Sequence, residues 1–397
     1  MRILIVSQYY YPEPFRIHEI CEELVKRGNQ VTVLTGVPNY PDGNVYEGYT
    51  QKDMEEDIEG VHVIRCGSRP RKKGYFNLFL NYIDFYFKAN KRIKKIKNEF
   101  DIVYTYQLSP ITSSQPASKF AKKYGLPSVM YCLDIWPESI VGQISEGNPI
   151  FKFTRSLSER IYKSFDKVIV TSPSFINYLN KVCSVENAKL SYLPQHANDV
   201  YDIIPSESER ENVLNFMFMG NIGVSQNVQC FIKACSLIKD RSKFKLHIVG
   251  SGASLDEVKD LAKELNVLDC VIFHGRKPKT EMPKYYAMAD VCLVSLRDEG
   301  AVSYTIPGKV QEYMSAAKPI LACIKGDTEF VINDAKCGAV AGVDDYEMLA
   351  KLMQQFINDP DKLSLMGTNA RKYYLEHFTL KNHVDELINE FNRLVSK

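Results

Sequence analysis

The 397-residue chain has no C-x-x-C pair, no G-x-G-x-x-G after its first apolar run, and a single tryptophan, Trp136. Nor does any stretch approach the ~18 uncharged apolar residues of a membrane-spanning helix. Each absence removes a class of protein. Without paired cysteines there is no zinc ribbon or thioredoxin-like dithiol; the ten that occur are scattered, several inside apolar runs such as ADVCLVSL and PILACIKG, and read as reduced, buried thiols. The place where a dinucleotide dehydrogenase would carry its glycines reads SQYYYPEPFR, so backbone cannot approach a pyrophosphate there as that fingerprint requires. No apolar signal core precedes the strand that starts at Arg2, and the chain is expected to stay in the cytoplasm. With 45% hydrophobic and 25% charged residues, it is neither disordered, collagenous nor a coiled-coil rod.

What is present begins with charge. The net charge of +2 is split unevenly. Residues 1–200 hold 26 Lys and Arg against 21 Asp and Glu, and residues 201–397 hold 24 against 27. Within the first half, Arg65 to Lys97 carries eleven basic residues and one acid, Asp84. Interleaved with them, Phe79, Ile83, Tyr86, Phe87, Ile93 and Ile96 recur at helical spacing. Two readings stand: an aromatic stripe buried on a sheet beneath a solvated basic face, or a basic-aromatic surface for an anionic membrane. No recognised nucleic-acid-binding motif accompanies the charge, so nucleic acid is not expected.

Short apolar strands alternate with longer amphipathic stretches, in two series. RILIVSQ, QVTVLTG, GVHVIRC, DIVYTYQ, PSVMYC and DKVIVTS form the first; NFMFMGN, KLHIVGSG, CVIFHGR, VCLVSL, PILACI and GAVAG form the second. This predicts an α/β protein of two doubly wound, mostly parallel domains. The segment YLPQHANDVYDIIPSESEREN reads as the linker between them, which sets boundaries at 1–200 and 201–379. A final helix, 380–397, carries Val384, Leu387, Ile388, Phe391 and Val395 on one stripe. Ligands of such sheets sit beyond the carboxyl ends of the strands, so two facing domains would line a cleft with strand-end loops.

Among those loops, Gly220-Asn221-Ile222-Gly223 and Gly250-Ser251-Gly252 each precede a helical stretch. Each reads either as a tight strand-to-helix turn or as an anion-facing loop. Ile306 to Leu321 is more specific: Lys309 and Glu312 stand at i, i+3 on a helix that starts after Pro307-Gly308. A carboxylate there can accept ribose hydroxyls, and an ammonium can neutralise a diphosphate. Asp134, directly after the strand PSVMYC and its Leu133, stands where it could orient or deprotonate a hydroxyl; local turn or helix-cap bonding in Asp134-Ile135-Trp136-Pro137 is the other reading. Asp42, His18 and His196 read as structural.

At this point the chain resembles glycosyltransferase family 4, whose members share the two-domain GT-B fold. EYMSAAKP, from Glu312 to Pro319, is similar to that family's E-A-M-A-C-G-x-P run. IPGKVQEYM looks closer still to the P-S-K-x-x-E-Y-M pattern of a branch that makes capsular and O-antigen polysaccharides. YYYPEPFR, VTVLTGVPNYPDGNVYEGY, LDIWPES, GNIGVSQN and IVGSG agree in order and spacing, so the resemblance spans nearly the whole chain.

The resemblance implies a retaining transfer from a nucleotide sugar, expected to be a UDP-N-acetylhexosamine or UDP-deoxysugar, to a lipid-linked saccharide. It implies no obligatory metal and no cofactor beyond the donor. The second domain would hold the donor through Gly220, Asn221, Gly223, Gly250, Gly252, Arg276, Tyr304, Lys309 and Glu312. The first would hold the acceptor through Arg16, Asp134 and Trp136, with Asp134 and Lys309 catalytic and the terminal helix returning to it. Residues 69–97 would then rest on the inner face of the plasma membrane. Departures are plain: Tyr304 stands where the family's first E-x7-E glutamate falls, the usual Arg and Lys are absent around Gly220 to Gln226, and Glu13-Pro14-Phe15-Arg16 replaces a Gly-Gly loop. Two other readings remain, a UDP-N-acetylglucosamine 2-epimerase-like enzyme and a non-catalytic sugar-nucleotide- or membrane-binding subunit.

Overall fold

The computed structural model describes residues 1–72, 74–140, 147–204, 213–298 and 304–396. Two compact units account for it. The first comprises Met1–Pro194 with Leu380–Lys397, and the second Gln195–Thr379, so the division falls six residues before the expected 200/201.

The first unit runs β1 (Arg2–Val6), α1 (Ile17–Lys26), β2 (Gln30–Thr35), β3 (Met54–Ile58), β4 (Val61–Arg65), α2 (Tyr75–Ile93), β5 (Ile102–Gln107), α3 (Gln115–Tyr124), β6 (Ser128–Cys132), α4 (Pro149–Lys163), β7 (Lys167–Val170), α5 (Pro173–Lys181) and β8 (Leu190–Tyr192). Its eight strands are ordered β3-β4-β2-β1-β5-β6-β7-β8. Only β3 is antiparallel, against β4. β1 lies between β2 and β5, and its residues 3–6 are wholly buried, which is why that run has no polar face. β3, sequence MEEDI, is an edge strand whose Glu55 and Asp57 face outward. It is held by Glu56, which accepts from the fully buried Arg65 guanidinium.

The second unit runs β9 (Leu214–Met219), α6 (Gln229–Leu237), β10 (Phe244–Val249), α7 (Leu255–Glu264), β11 (Val271–Gly275), α8 (Met282–Met288), β12 (Val291–Ser295), α9 (Gly308–Ser315), β13 (Ile320–Cys323), α10 (Asp327–Asp334), β14 (Gly338–Ala341), α11 (Tyr346–Asn358) and α12 (Asp361–His377). Its six strands, ordered β11-β10-β9-β12-β13-β14, are all parallel. The strand order reverses at β9, so loops leaving β9, β10 and β12 converge on a switch point. The expected linker is largely packed where it is described. Ala197 N–H donates to Phe378 O at 2.9 Å, Tyr374 Oη donates to Ala197 O at 2.9 Å, and Arg371 grips Asp199 through two bonds of 2.6 and 2.7 Å. Residues 205–212 of that segment lie outside the described residues.

The last helix, α13 (Leu380–Val395), belongs to the first unit. Val384, Leu387 and Phe391 enter the core beside Ile17, Ile20 and Leu24 of α1, and Arg27 pairs with Asp385. All ten cysteines are buried and free. Among the described residues no helix is long and apolar enough to cross a membrane.

α2 differs from the single stripe read in the sequence. Its core face is Asn81, Phe85, Ala89 and Ile93, whereas Phe76, Phe79 and Phe87 are 72%, 57% and 64% exposed. Lys91, Lys94, Lys95 and Lys97 are also exposed. Arg92 is instead engaged by Glu55, and Lys88 by Asp84 at 3.1 Å. Lys73 of the basic stretch lies outside the described residues.

Candidate functional site

In the second unit, Gly220 directly follows β9 and Gly250 directly follows β10. Gly250 has φ 148°, and a Cβ on it would fall 1.8 Å from Gly220 O. One on Gly252 would fall 2.3 Å from Ile222 O. These glycines let two strand-end loops zip together: Gly220 N–H donates to Val249 O, Ile222 N–H to Ser251 O and Ser254 N–H to Ile222 O, at 2.9–3.0 Å. Gly223 N–H is taken by Gln226 Oε1 at 3.1 Å, and Asn221 Nδ2 donates to the same oxygen at 3.0 Å. The N–H groups of Gly220, Ile222 and Gly223 are therefore engaged within the protein.

The cation comes from α9. Lys309 stands one residue inside its N-terminus, and its Nζ would lie 3.1 Å from a Cβ on Gly220. The glycine at 220 thus makes room for the ammonium. Nζ sits 3.7 Å from the Phe218 ring centroid, an attractive position for a cation. It is buried with no hydrogen-bond partner, and removal from water pulls its pKa from 10.5 down to about 7, with nearby Glu312 opposing the fall. Tyr313, buried on the same helix, anchors α9 to β9 through bonds of 3.1 and 3.2 Å with the Met219 backbone. Glu312 is half-buried, while Tyr304 before α9 and Arg276 after β11 are exposed.

In the first unit, Asp134 follows β6. Its Oδ2 accepts both the N–H and the hydroxyl of Ser109 at 3.0 Å, and the Trp136 indole N–H donates to Ser109 Oγ at 2.8 Å. Indole, serine and carboxylate form one chain, so Asp134 and Trp136 are brought together by a residue the sequence did not single out. Burial pushes the Asp134 carboxyl up, and the two Ser109 bonds oppose that. Arg16 stands at the N-cap position of α1 and is half-buried.

A second carboxylate was named only as part of the segment that replaces the Gly-Gly loop, without a role of its own. Glu13, in the loop after β1, is buried, and its oxygens accept the N–H groups of Asn39 and Tyr40 at 2.8 Å and of Tyr10 at 3.2 Å. The signal available was an acid inside the otherwise uncharged run YYYPEPF. His18 is structural in its contacts, with Nε2 2.9 Å from Glu22 and Nδ1 3.3 Å from Tyr10 Oη. Asp42 is exposed and His196 is buried. One D-x-D triplet occurs, Asp359-Pro360-Asp361; it closes the turn between α11 and α12, where Asp359 pairs with Lys362 at 2.6 Å. Among the described residues no group of three or more His, Cys, Asp or Glu is arranged to hold a metal ion.

Comparison with known proteins covers both units. Residues 15–196 match the family model Glycosyltransferase Family 4, and residues 201–373 match Glycosyl transferases group 1. The O-antigen chain mannosyltransferase C of Escherichia coli is 24% identical over 100% of this chain and 99% of its own. Among solved structures, the sucrose-phosphate synthase of Thermosynechococcus elongatus aligns with a TM-score of 0.76 at 18% identity, covering 100% of this chain and 99% of that one. The Anabaena protein HepE in complex with UDP aligns with a TM-score of 0.72 at 14% identity, covering 99% and 100%.

Proposed function

Because this chain belongs to glycosyltransferase family 4 and has the GT-B fold, we propose that it moves a hexosyl group from a nucleoside diphosphate donor to a lipid-linked saccharide of a surface polysaccharide, with retention of anomeric configuration. The observation that carries this reading is Lys309. A buried ammonium without a hydrogen-bond partner is expensive, and its position beside Gly220, at the switch-point loops of the second unit, suits a diphosphate that would satisfy it. Charge grows on the leaving diphosphate as the glycosidic bond breaks, so a cation fixed there stabilises the transition state more than the ground state. Glu312, one turn along α9, would accept ribose hydroxyls. Asp134, held by Ser109, would orient the acceptor hydroxyl and take its proton.

The full-length likeness to a mannosyltransferase favours a mannose donor over the N-acetylhexosamine expected from the sequence. The UDP complex among the structural neighbours is evidence of fold only. On the acceptor side, the outward apolar stripe of α2 and its exposed lysines support contact with an anionic membrane.

Thermal unfolding with UDP, GDP, dTDP and ADP tests the donor site. At least one nucleotide raises the melting temperature of the wild type, since binding to the folded state stabilises it. Lys309→Met keeps the fold and loses most of that rise. Equal protection of both proteins would remove Lys309 from the site.

A further inference from the structure

Loops leaving the carboxyl ends of β1, β2 and β4 are laced together by buried polar side chains. Glu13 is at the centre, binding backbone N–H groups from its own loop and from the loop after β2. Asn39 extends the lacing: its Oδ1 accepts the Arg71 N–H at 2.6 Å, and its Nδ2 donates to Val37 O at 2.6 Å. A carboxylate buried on backbone donors is a poor way to gain stability. It does fix where its donors' loops sit.

Those loops carry a group of rings. Tyr9 stacks on Phe15 with centroids 4.9 Å apart and planes at 20°. Phe15 meets Tyr40 at 4.9 Å, and the Arg71 guanidinium carbon stands 5.4 Å from the Tyr40 centroid. Phe15, Tyr40 and Arg71 are only half-buried, so the group keeps an outward side. The Tyr9 hydroxyl is buried with no hydrogen-bond partner, although buried hydroxyls normally find one. Ring faces beside a guanidinium and an unfilled hydroxyl suit a pyranose, which packs its C–H face on aromatics and gives its hydroxyls to polar neighbours.

We infer that Phe15, Tyr40 and Arg71 form a subsite for one sugar ring of the acceptor saccharide, and that Glu13 is the positioning residue that holds this subsite in shape. The inference rests on the reading of the first unit as the acceptor domain. Protonation adds a consequence. Burial pushes the Glu13 carboxyl up to about 7, against the N–H groups of Asn39, Tyr40 and Tyr10 and the charge of Arg65 from β4; the Tyr9 phenol is a further titratable neighbour. A proton on Oε2 weakens the bond from Tyr10, so the subsite loosens as pH falls through that value.

Saturation-transfer NMR on the full chain tests this without requiring turnover, with methyl α-mannoside and methyl β-N-acetylglucosaminide as probes. Irradiating aromatic protons should transfer saturation to the ring protons of at least one glycoside. Tyr40→Leu, which keeps apolar bulk, should weaken binding about fivefold, as loss of one aromatic contact predicts. Glu13→Gln should bind weakly at pH 8 and no differently at pH 6, whereas the wild type should lose signal between the two. No transfer to either glycoside, or equal transfer in Tyr40→Leu, overturns the subsite; a wild-type pH response in Glu13→Gln overturns the role of Glu13. Glycoside binding without sugar transfer would count against the proposed reaction and leave the subsite standing.

Discussion

At the scale of single residues, two buried ionisable groups carry opposite pH signatures. Lys309 is pulled down to about 7 from 10.5, so between those values the unfolded chain binds more protons and stability rises with pH. Lys309→Met should lack that rise and be at least as stable as the wild type at pH 7. Diphosphate binding should restore the proton. Calorimetry of nucleoside diphosphate binding at pH 8, in buffers of different ionisation enthalpy, should report about one proton taken up by the wild type and none by Lys309→Met. Glu13 runs the other way. Its carboxyl is pushed up from 4.5 to about 7, so the folded chain binds more protons in that window and stability falls as pH rises through it. By pH 8 the loss reaches roughly 3 kcal/mol. Urea midpoints of wild type and Glu13→Gln should therefore converge near pH 4.5 and separate by pH 8, with the variant the more stable. Parallel curves would show that Glu13 is not the group responsible.

Elements show where the sequence was readable and where it was not. Every run proposed as a strand became one; the central ones stood out because parallel strands buried on both faces must be apolar throughout. β3 and β8 were missed for physical reasons. MEEDI is an edge strand with Glu55 and Asp57 outward, and LSY spans three residues, too few for any period to register. α2 was half legible. Helical spacing found its aromatics, but it could not tell that Asn81 and Ala89 face the core while Phe76, Phe79 and Phe87 face outward. Such an outward stripe should bind membranes: Phe79→Ser with Phe87→Ser, or Lys91, Lys94 and Lys95 changed to Ser, should reduce co-sedimentation with anionic vesicles, and salt should weaken binding in the wild type. Unchanged recovery would leave the stripe without a membrane role.

The glycine loops make the same point about the site. Their positions were legible, but the purpose of Gly250 is a close approach to Gly220 O visible only in three dimensions. Gly250→Ala should destabilise the second unit by about 3 kcal/mol through that clash and the positive φ, read as a lower thermal midpoint. Lys309 was named from its helix alone. That its ammonium is buried over Phe218 and beside Gly220 depends on residues some ninety positions away, which no local pattern connects. Ser109, which joins Asp134 to Trp136, was silent for the same reason.

For the whole molecule, the proposed function assigns donor binding to the second unit and acceptor binding to the first. The second places Lys309 and Glu312 on one helix beside the switch-point loops. The first places Asp134, Trp136 and the Glu13-braced rings at strand carboxyl ends, on the unit that also carries the exposed α2 stripe. Acceptor and donor functions should then separate by mutation: Glu312→Gln should lose roughly 1.5–3 kcal/mol of donor stabilisation and leave the acceptor KM unchanged. The most direct measurement is nucleoside diphosphate release from GDP-mannose and from UDP-N-acetylglucosamine, with and without farnesyl-diphosphate-linked N-acetylglucosamine and its mannosyl extensions. A transferase releases nucleoside diphosphate from one donor only when acceptor is present, in step with glycosylated product, and Lys309→Met slows that release more than it raises the donor KM. Inversion at C2 of UDP-N-acetylglucosamine without acceptor, or no release with any pair, would contradict the account.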